Sequence, residues 1–157
     1  MNDANEQENG AGADDSASEG APVTIERPTT VREEEIKLAV HGLFRLPDLV
    51  AHDVGVARAK RQIARRLDAV YYDTADLRLF RWGATLRRRE GGHDAGWHLK
   101  LPVDGATKNV RDELQLPLSA GDRGEVPREL AAIVTPFTRG APLRQAAHLQ
   151  TDRTPYL

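Results

Sequence analysis

The sequence predicts an α+β fold in which an antiparallel β meander carries short helices and follows an acidic N-terminal leader. The stretches "ATLRRRE", "GGHDAG" and "WHLKLP" stand in succession as strand, glycine-rich turn and strand, the pattern of a β-hairpin. A second turn, "VDGATK", precedes the strand-like "NVRDELQLPL", so residues 84–118 are predicted to form three antiparallel strands. The leader, residues 1–28, has too few large apolar groups to offset the entropy cost of ordering, and we expect it to be disordered.

Length and charge indicate one domain with a charged tail. The 157 residues are unevenly charged: residues 1–30 hold seven acids and one arginine, whereas residues 31–157 hold 21 basic and 17 acidic residues. Cysteine is absent, which excludes disulfides and thiolate metal sites. No apolar run approaches the ~18 residues of a membrane span, and a secretory signal is missing, so we expect a cytoplasmic protein. Arginine outnumbers lysine 18 to 4, which fits contact with phosphate or carboxylate but also a GC-rich genome.

The other elements follow from local patterns. We predict a first strand at 31–40 and a second β-prone segment at 67–73, separated by a short helix or turn near Pro47. The stretch "TADLRLFRWG" predicts a short helix that Asp73 or Thr74 caps and Gly83 ends. Pro127 predicts a helix over 127–134, and the chain from Phe137 onward reads as a loop.

Ionic side chains recur at every second position of the predicted strands. Because side chains alternate between the two faces of a strand, four strands each present one polar row. One interpretation is a sheet with one solvated face. The other is the wall of a charged pocket, in which cations bind an anion and carboxylates bind a divalent metal, a composition that suits a polyphosphate. The rows are Glu33, Glu35 and Lys37; Arg87 and Arg89; His98 and Lys100; and Arg111, Glu113 and Gln115.

The order of four motifs resembles the CYTH domain family, also called the triphosphate tunnel metalloenzymes. The motifs are "EEEIK", "YYDTADLRLFRWGATLRRR", "WHLKLP" and "VRDELQLPL", spread across roughly residues 31–140. The resemblance implies an antiparallel barrel whose interior is a charged tunnel. It also implies hydrolysis of inorganic triphosphate or of an organic triphosphate such as thiamine triphosphate, or cyclisation of ATP, with Mg²⁺ or Mn²⁺ as cofactor.

The resemblance assigns roles to individual residues. It implies that Glu33 and Glu35 bind the metal, that Lys37 and Tyr71 act in catalysis, and that Glu113 belongs to the tunnel wall. The cations that it implies for phosphate binding are Lys37, Arg87, Arg89, Lys100 and Arg111.

Other polar and aromatic residues have simpler interpretations. Asp73, Thr74 and Asp76 are interpreted as capping and turn residues, and His98 as a spacer. Arg88 and Glu90 are interpreted as residues of the outer face of their strand. The aromatic residues Tyr72, Trp82 and Trp97 are interpreted as packing residues.

The family's later strands have no counterpart, so residues 29–157 are expected to be a partial, truncated CYTH domain. The expected function is binding or hydrolysis of a triphosphate, impaired by truncation, and whether the chain is an enzyme stays open. The alternatives are a non-catalytic polyphosphate- or nucleotide-binding module, or a relative of class IV-type adenylate cyclases. The expected partner is a triphosphate or polyphosphate rather than a membrane or nucleic acid, with possible self-association to complete the barrel.

Overall fold

The chain folds into an antiparallel sheet packed against short helices. The structure is a computed structural model and describes residues 27–51, 55–105 and 110–157. The expected disorder of residues 1–28 therefore lies almost wholly outside the described residues. Within them are six strands, two α-helices and one 3₁₀ turn: β1 Thr29–Glu34, β2 Arg65–Asp73, α1 Arg78–Arg81, β3 Thr85–Glu90, β4 Gly96–Pro102, β5 Val110–Leu116, the 3₁₀ turn Leu118–Ala120, α2 Arg128–Thr138 and β6 Arg144–Arg153.

The strands form one sheet in the order β1-β5-β4-β3-β2-β6, and every pairing is antiparallel. The predicted meander of β3, β4 and β5 is confirmed at the centre of this sheet. The turn between β3 and β4 requires glycine, because Gly91 has a φ of 80° and an added Cβ there would lie 2.2 Å from the carbonyl oxygen of Arg66. Across the described ranges, no helix combines the length and apolar character needed to cross a lipid bilayer.

The alternation of side chains separates an apolar face of the sheet from a polar one. The apolar face, called here the core face, packs against Leu79 of α1 and against Leu130 and Val134 of α2, all of them fully buried. The aromatic rings of Tyr72 and Trp97 pack on this face at a centroid distance of 5.1 Å, which confirms their interpretation as packing residues. Because the core lies on one side of the sheet, the ionic rows are left together on the other. The buried strand residues of the core face are Val70, Tyr72, Leu86, Trp97, Leu99 and Leu116.

The "YYDT" motif ends in a capping loop for α1. The buried Asp73 carboxylate accepts hydrogen bonds from the backbone N–H groups of Thr74, Leu79 and Phe80, at 2.7, 2.9 and 2.9 Å. The Thr74 hydroxyl accepts another from the N–H of Arg78 at 3.0 Å and donates to Asp76. The predicted capping roles are therefore confirmed, and the motif positions α1 at the end of β2.

The first strand ends earlier than predicted. We expected a strand over 31–40, but β1 runs from Thr29 to Glu34. The prediction is therefore wrong for residues 35–40. Its last residue, Glu34, pairs with Val110, the first residue of β5. The segment near Pro47 forms turns, which is one of the two predicted conformations.

The C-terminal segment is a strand and not the predicted loop. Residues Arg144–Arg153 form β6, which pairs along β2 with an irregularity between Tyr71 and Tyr72. All ten side chains of β6 are exposed, so no apolar alternation marked this strand in the sequence. Its conformation comes from pairing with the free edge of β2. The helix predicted at 127–134 is present as α2, and it continues to Thr138.

Candidate functional site

The strand register brings most of the ionic rows onto one face of four adjacent strands. Directly opposed residues of antiparallel strands share a face, and the pairs include Arg87 with His98, Lys100 with Glu113, and Glu33 with Arg111. Tyr71 pairs with Arg87 and so joins this face from β2. We call this surface the polar face; it consists of Glu33, Tyr71, Arg87, Arg89, His98, Lys100, Arg111 and Glu113.

Lys100 lies between two carboxylates at the middle of the polar face. Its ammonium contacts Glu33 Oε2 and lies 3.6 Å from Glu113 Oε2. The Lys100 side chain is only 11% exposed, so these attractions are weakly screened by solvent. The lysine thus links β1, β4 and β5 through their side chains.

His98 is a buried member of the same network. Its Nδ1 lies 2.5 Å from Glu113 Oε1 and its Nε2 lies 2.9 Å from the carbonyl oxygen of Asp94. Burial lowers the pKa of His98, a shift that the hydrogen bond to Glu113 partly opposes. Burial alone would raise the pKa of Glu113, but the His98 hydrogen bond and the Lys100 charge outweigh it, so this pKa is lowered. The Glu113 carboxylate is therefore ionised at neutral pH.

Arg89 is held by the turn of the β3–β4 hairpin. Its guanidinium forms an ion pair with the Asp94 carboxylate and donates to the Asp94 carbonyl oxygen at 3.3 Å. Burial would raise the pKa of Asp94, yet the charge of Arg89 and hydrogen bonds leave it lowered. Asp94 therefore positions two residues of the polar face, since its carboxylate contacts Arg89 and its carbonyl contacts His98.

Two arginines of the polar face have no carboxylate partner among the described residues. Neither Arg87 nor Arg111 forms an ion pair there. Arg87 donates a long hydrogen bond of 3.4 Å to the Tyr71 hydroxyl, and its buried Nε finds no acceptor among these residues. The buried Nε of Arg89 also lacks an acceptor there. An anion on this face would offer oxygen atoms to these guanidinium groups.

Glu35 and Lys37 stand apart from the polar face. Both follow the end of β1, and they pair with each other at 3.1 Å with the Lys37 side chain 80% exposed. The structure therefore brings together Glu33 with the predicted phosphate-binding cations of β3, β4 and β5, but not Glu35 or Lys37. Lys37 forms an ion pair with Glu35 and not a hydrogen bond with Tyr71, whose hydroxyl accepts one from Arg87.

The described residues offer the type of ligand atom that a divalent metal prefers, but not a complete set of ligands. Carboxylate oxygens are the hard ligands that Mg²⁺ prefers, and Glu33 supplies one on the polar face. No group of three or more histidine, aspartate or glutamate side chains arranged for a metal occurs among residues 27–51, 55–105 and 110–157. Glu33 would give a metal part of its oxygen shell, completed by water or by phosphate oxygens of a ligand, whereas Glu35, the other predicted metal ligand, lies apart from the polar face.

Sequence reasoning missed two contributors to this face. His98 was interpreted as a spacer, which is wrong, since it is 1% exposed and joins Glu113 to the hairpin turn. The signal available in the sequence was its position two residues before Lys100, which places both side chains on the same face of β4. Asp94 was interpreted only as part of a turn, and its position five residues after Arg89 gave no periodic signal. Arg88 and Glu90 lie on the opposite face, as predicted, and pair with each other.

Comparison with known proteins agrees with the resemblance that the sequence motifs showed. A family model described as the CYTH domain matches residues 23–157. Two proteins of Mycobacterium tuberculosis are each 41% identical to this chain over 133 residues: "Uncharacterized protein Rv2226" of strain ATCC 25618 / H37Rv and "Uncharacterized protein MT2285" of strain CDC 1551 / Oshkosh. The match covers 84% of this chain but 25% of each relative, so the chain spans about a quarter of the length of the curated relatives it matches.

Proposed function

The chain belongs to the CYTH domain family, and on that premise we propose that its polar face binds the phosphate chain of a triphosphate. The candidates are inorganic triphosphate and an organic triphosphate such as thiamine triphosphate. The observation that carries the proposal is the placement of Arg87, Lys100 and Arg111 on one face of three adjacent strands. Cations on separate strands can each meet a different phosphoryl group of one extended ligand.

The unpaired arginines support binding at this face. Arg87 and Arg111 form no ion pair within the described residues, so a phosphate ligand would not have to displace a carboxylate from either. Planar guanidinium groups match two phosphate oxygens at once. Arg89 and Lys100 would add to the electrostatic attraction while staying anchored to Asp94 and to Glu33 and Glu113.

A divalent metal, Mg²⁺ or Mn²⁺, is part of the proposal. Glu33 would hold it on the polar face, and it would supply charge neutralisation at the phosphate oxygens. The arginines of the polar face would bind the non-bridging oxygens and orient the chain of phosphates. Tyr71 would hold Arg87 through its hydroxyl, whereas Lys37, which lies apart from the polar face, takes no part in the proposed site. Hydrolysis of the triphosphate is the reaction class that we propose.

A second candidate function is binding without turnover. It is favoured by the pairing of both predicted metal ligands with lysines, Glu33 with Lys100 and Glu35 with Lys37. Carboxylates neutralised in this way attract a metal less strongly. A module of this kind would hold polyphosphate or a nucleotide through the same arginines.

Calorimetry on the full chain tests binding at the polar face. We expect tripolyphosphate to bind more tightly than orthophosphate, with an affinity that falls as salt is added, because exposed ionic contacts are screened. Arg111→Ala should weaken tripolyphosphate binding about tenfold, the loss of one charge-assisted contact. Arg32→Ala is the matched control, since Arg32 is exposed on the opposite face of the neighbouring strand. Equal affinity for the two phosphates would refute the proposal.

Turnover is tested separately from binding. Phosphate release from tripolyphosphate and thiamine triphosphate would be followed with Mg²⁺ and with Mn²⁺. Release that requires the metal and is lost in Glu33→Gln supports hydrolysis. Tight binding of tripolyphosphate without release supports the second candidate.

A further inference from the structure

A cleft between the two helices carries positive charge beside aromatic rings. It lies where α1 and the C-terminal end of α2 meet, and its volume is about 450 Å³. Its lining consists of Arg78, Arg81, Trp82, Phe137 and Arg139, and we call it the α1–α2 cleft. Both helices pack on the core face of the sheet, so the sheet separates this cleft from the polar face. A ligand here would therefore be independent of one bound by the polar face.

One of the three arginines fixes the geometry of the cleft. Arg78 donates to the carbonyl oxygen of Thr138, the last residue of α2, at 2.5 Å, and pairs with Asp76 at 2.9 Å. These contacts join α1 to the end of α2 and partly neutralise the Arg78 charge. Its guanidinium is thus a positioned group and not a freely moving one.

The other two arginines supply unmatched charge. Arg81 and Arg139 are both exposed, and within the described residues neither forms an ion pair. Arg139 also has a φ of 52°, in the left-handed region, at the C-cap of α2. Glycine or asparagine adopts this conformation at lower cost. An arginine here bears that cost and brings a second unpaired guanidinium to the cleft.

An exposed indole completes the chemistry of the cleft. Trp82, which was interpreted from the sequence as a packing residue, is instead 62% exposed, whereas Trp97, the other tryptophan of the chain, is fully buried. The Trp82 ring meets Phe137 at a centroid distance of 6.2 Å and an angle of 60°. An exposed aromatic surface of this kind can stack with a flat ring of a ligand.

We propose that the α1–α2 cleft binds a nucleoside phosphate, with its base against Trp82 and its phosphate against Arg81 and Arg139. The volume of the cleft lies within the range of small-molecule sites, which is about 300–1,000 Å³. The combination of an aromatic surface and unpaired guanidinium groups recognises both parts of such a ligand. This site is additional to triphosphate binding at the polar face and does not depend on it.

Adenosine monophosphate is the probe that separates this site from the polar face, because its single phosphate cannot span several strands. Binding to the full chain would be measured by calorimetry and by tryptophan fluorescence. We expect quenching of the fluorescence, lost in Trp82→Phe, since Trp97 is buried and does not meet the ligand. The double variant Arg81→Ala/Arg139→Ala should bind at least about tenfold more weakly. Arg128→Ala is its control, since Arg128 is exposed at the other end of α2.

The ligand controls test each half of the proposal. Adenosine and ribose 5-phosphate should both bind more weakly than adenosine monophosphate. Equal binding by adenosine refutes the role of the arginines, and equal binding by ribose 5-phosphate refutes stacking. Absence of quenching at millimolar concentration overturns the site. Loss of adenosine monophosphate binding in Arg111→Ala would place the ligand on the polar face and would also overturn it, whereas failure of tripolyphosphate binding would leave it unaffected.

Discussion

His98 Nδ1 lies 2.5 Å from Glu113 Oε1, and this contact joins the two strands at the centre of the polar face. The second ring nitrogen lies 2.9 Å from the Asp94 carbonyl oxygen, so both neighbours of the imidazole are hydrogen-bond acceptors. Only the protonated ring can donate to both. Burial nevertheless lowers the pKa of His98, so at neutral pH the ring is uncharged and donates to one acceptor at a time.

The lowered pKa of His98 predicts a loss of stability on acidification. The unfolded state binds a proton at His98 more readily than the folded state does, so stability falls as the pH drops from about 6.5, the reference value, toward the folded pKa. A further loss at Glu113 begins only below about 4.5, its own reference value. Urea unfolding measured from pH 8 to pH 5 should show the first loss, and His98→Gln should flatten it. An unchanged slope in the variant would contradict this assignment.

Glu33 and Glu34 offer a matched test of the metal ligand. Both are on β1, but Glu33 lies on the polar face and Glu34 is exposed on the other face. If Glu33 holds the metal, Glu33→Gln should remove most of the increase in tripolyphosphate affinity that Mg²⁺ produces. Glu34→Gln should preserve it. Titrations with Mg²⁺ and with EDTA measure the difference, and an equal effect of both variants would argue against a ligand role for Glu33.

We expect Asp73 to contribute to the stability of the fold through its contacts with α1. Its buried carboxylate accepts three backbone hydrogen bonds that position α1. Asp73→Ala leaves those N–H groups unsatisfied, and we expect a loss of about 2–4 kcal/mol in the free energy of unfolding, the sum of a lost cap and buried donors. Asp122→Ala, at an exposed turn position, should change it by less than about 0.5 kcal/mol. Chemical denaturation compares the two, and similar losses would contradict the capping role.

Leu130 tests the packing of α2 on the core face. Its side chain is fully buried among residues of the sheet and α1. Leu130→Ala should destabilise the fold by about 2–5 kcal/mol, because it removes buried apolar surface and leaves a cavity. Leu43→Ala, at a side chain that is 83% exposed, should be nearly neutral. Thermal unfolding measures both, and a small effect of Leu130→Ala would mean that α2 packs loosely.

The central part of the fold was predictable because its signals are local. Glycine-rich turns and alternating strands between residues 84 and 118 specified the meander, and the same alternation identified which ionic rows share a face. Asp73 and Thr74 predicted the start of a helix, because aspartate and threonine are common helix-capping residues. The end of β1 was not predictable, since the strand depends on pairing with the distant β5, and β6 was missed because its strand conformation arises from an edge that β2 leaves free.

The sequence by itself determined the family, the central strands and the polar row of Arg87, Arg89, Lys100 and Glu113, because strand alternation and motif order are properties of the chain. Tertiary structure decided which charges meet. It placed Lys100 between Glu33 and Glu113, buried His98 against Glu113, and left Lys37 with Glu35 beyond the end of β1. It also assembled the α1–α2 cleft from residues nearly 60 positions apart, Arg81 and Arg139. Contacts of this kind depend on register and helix packing between distant segments, which no local pattern encodes.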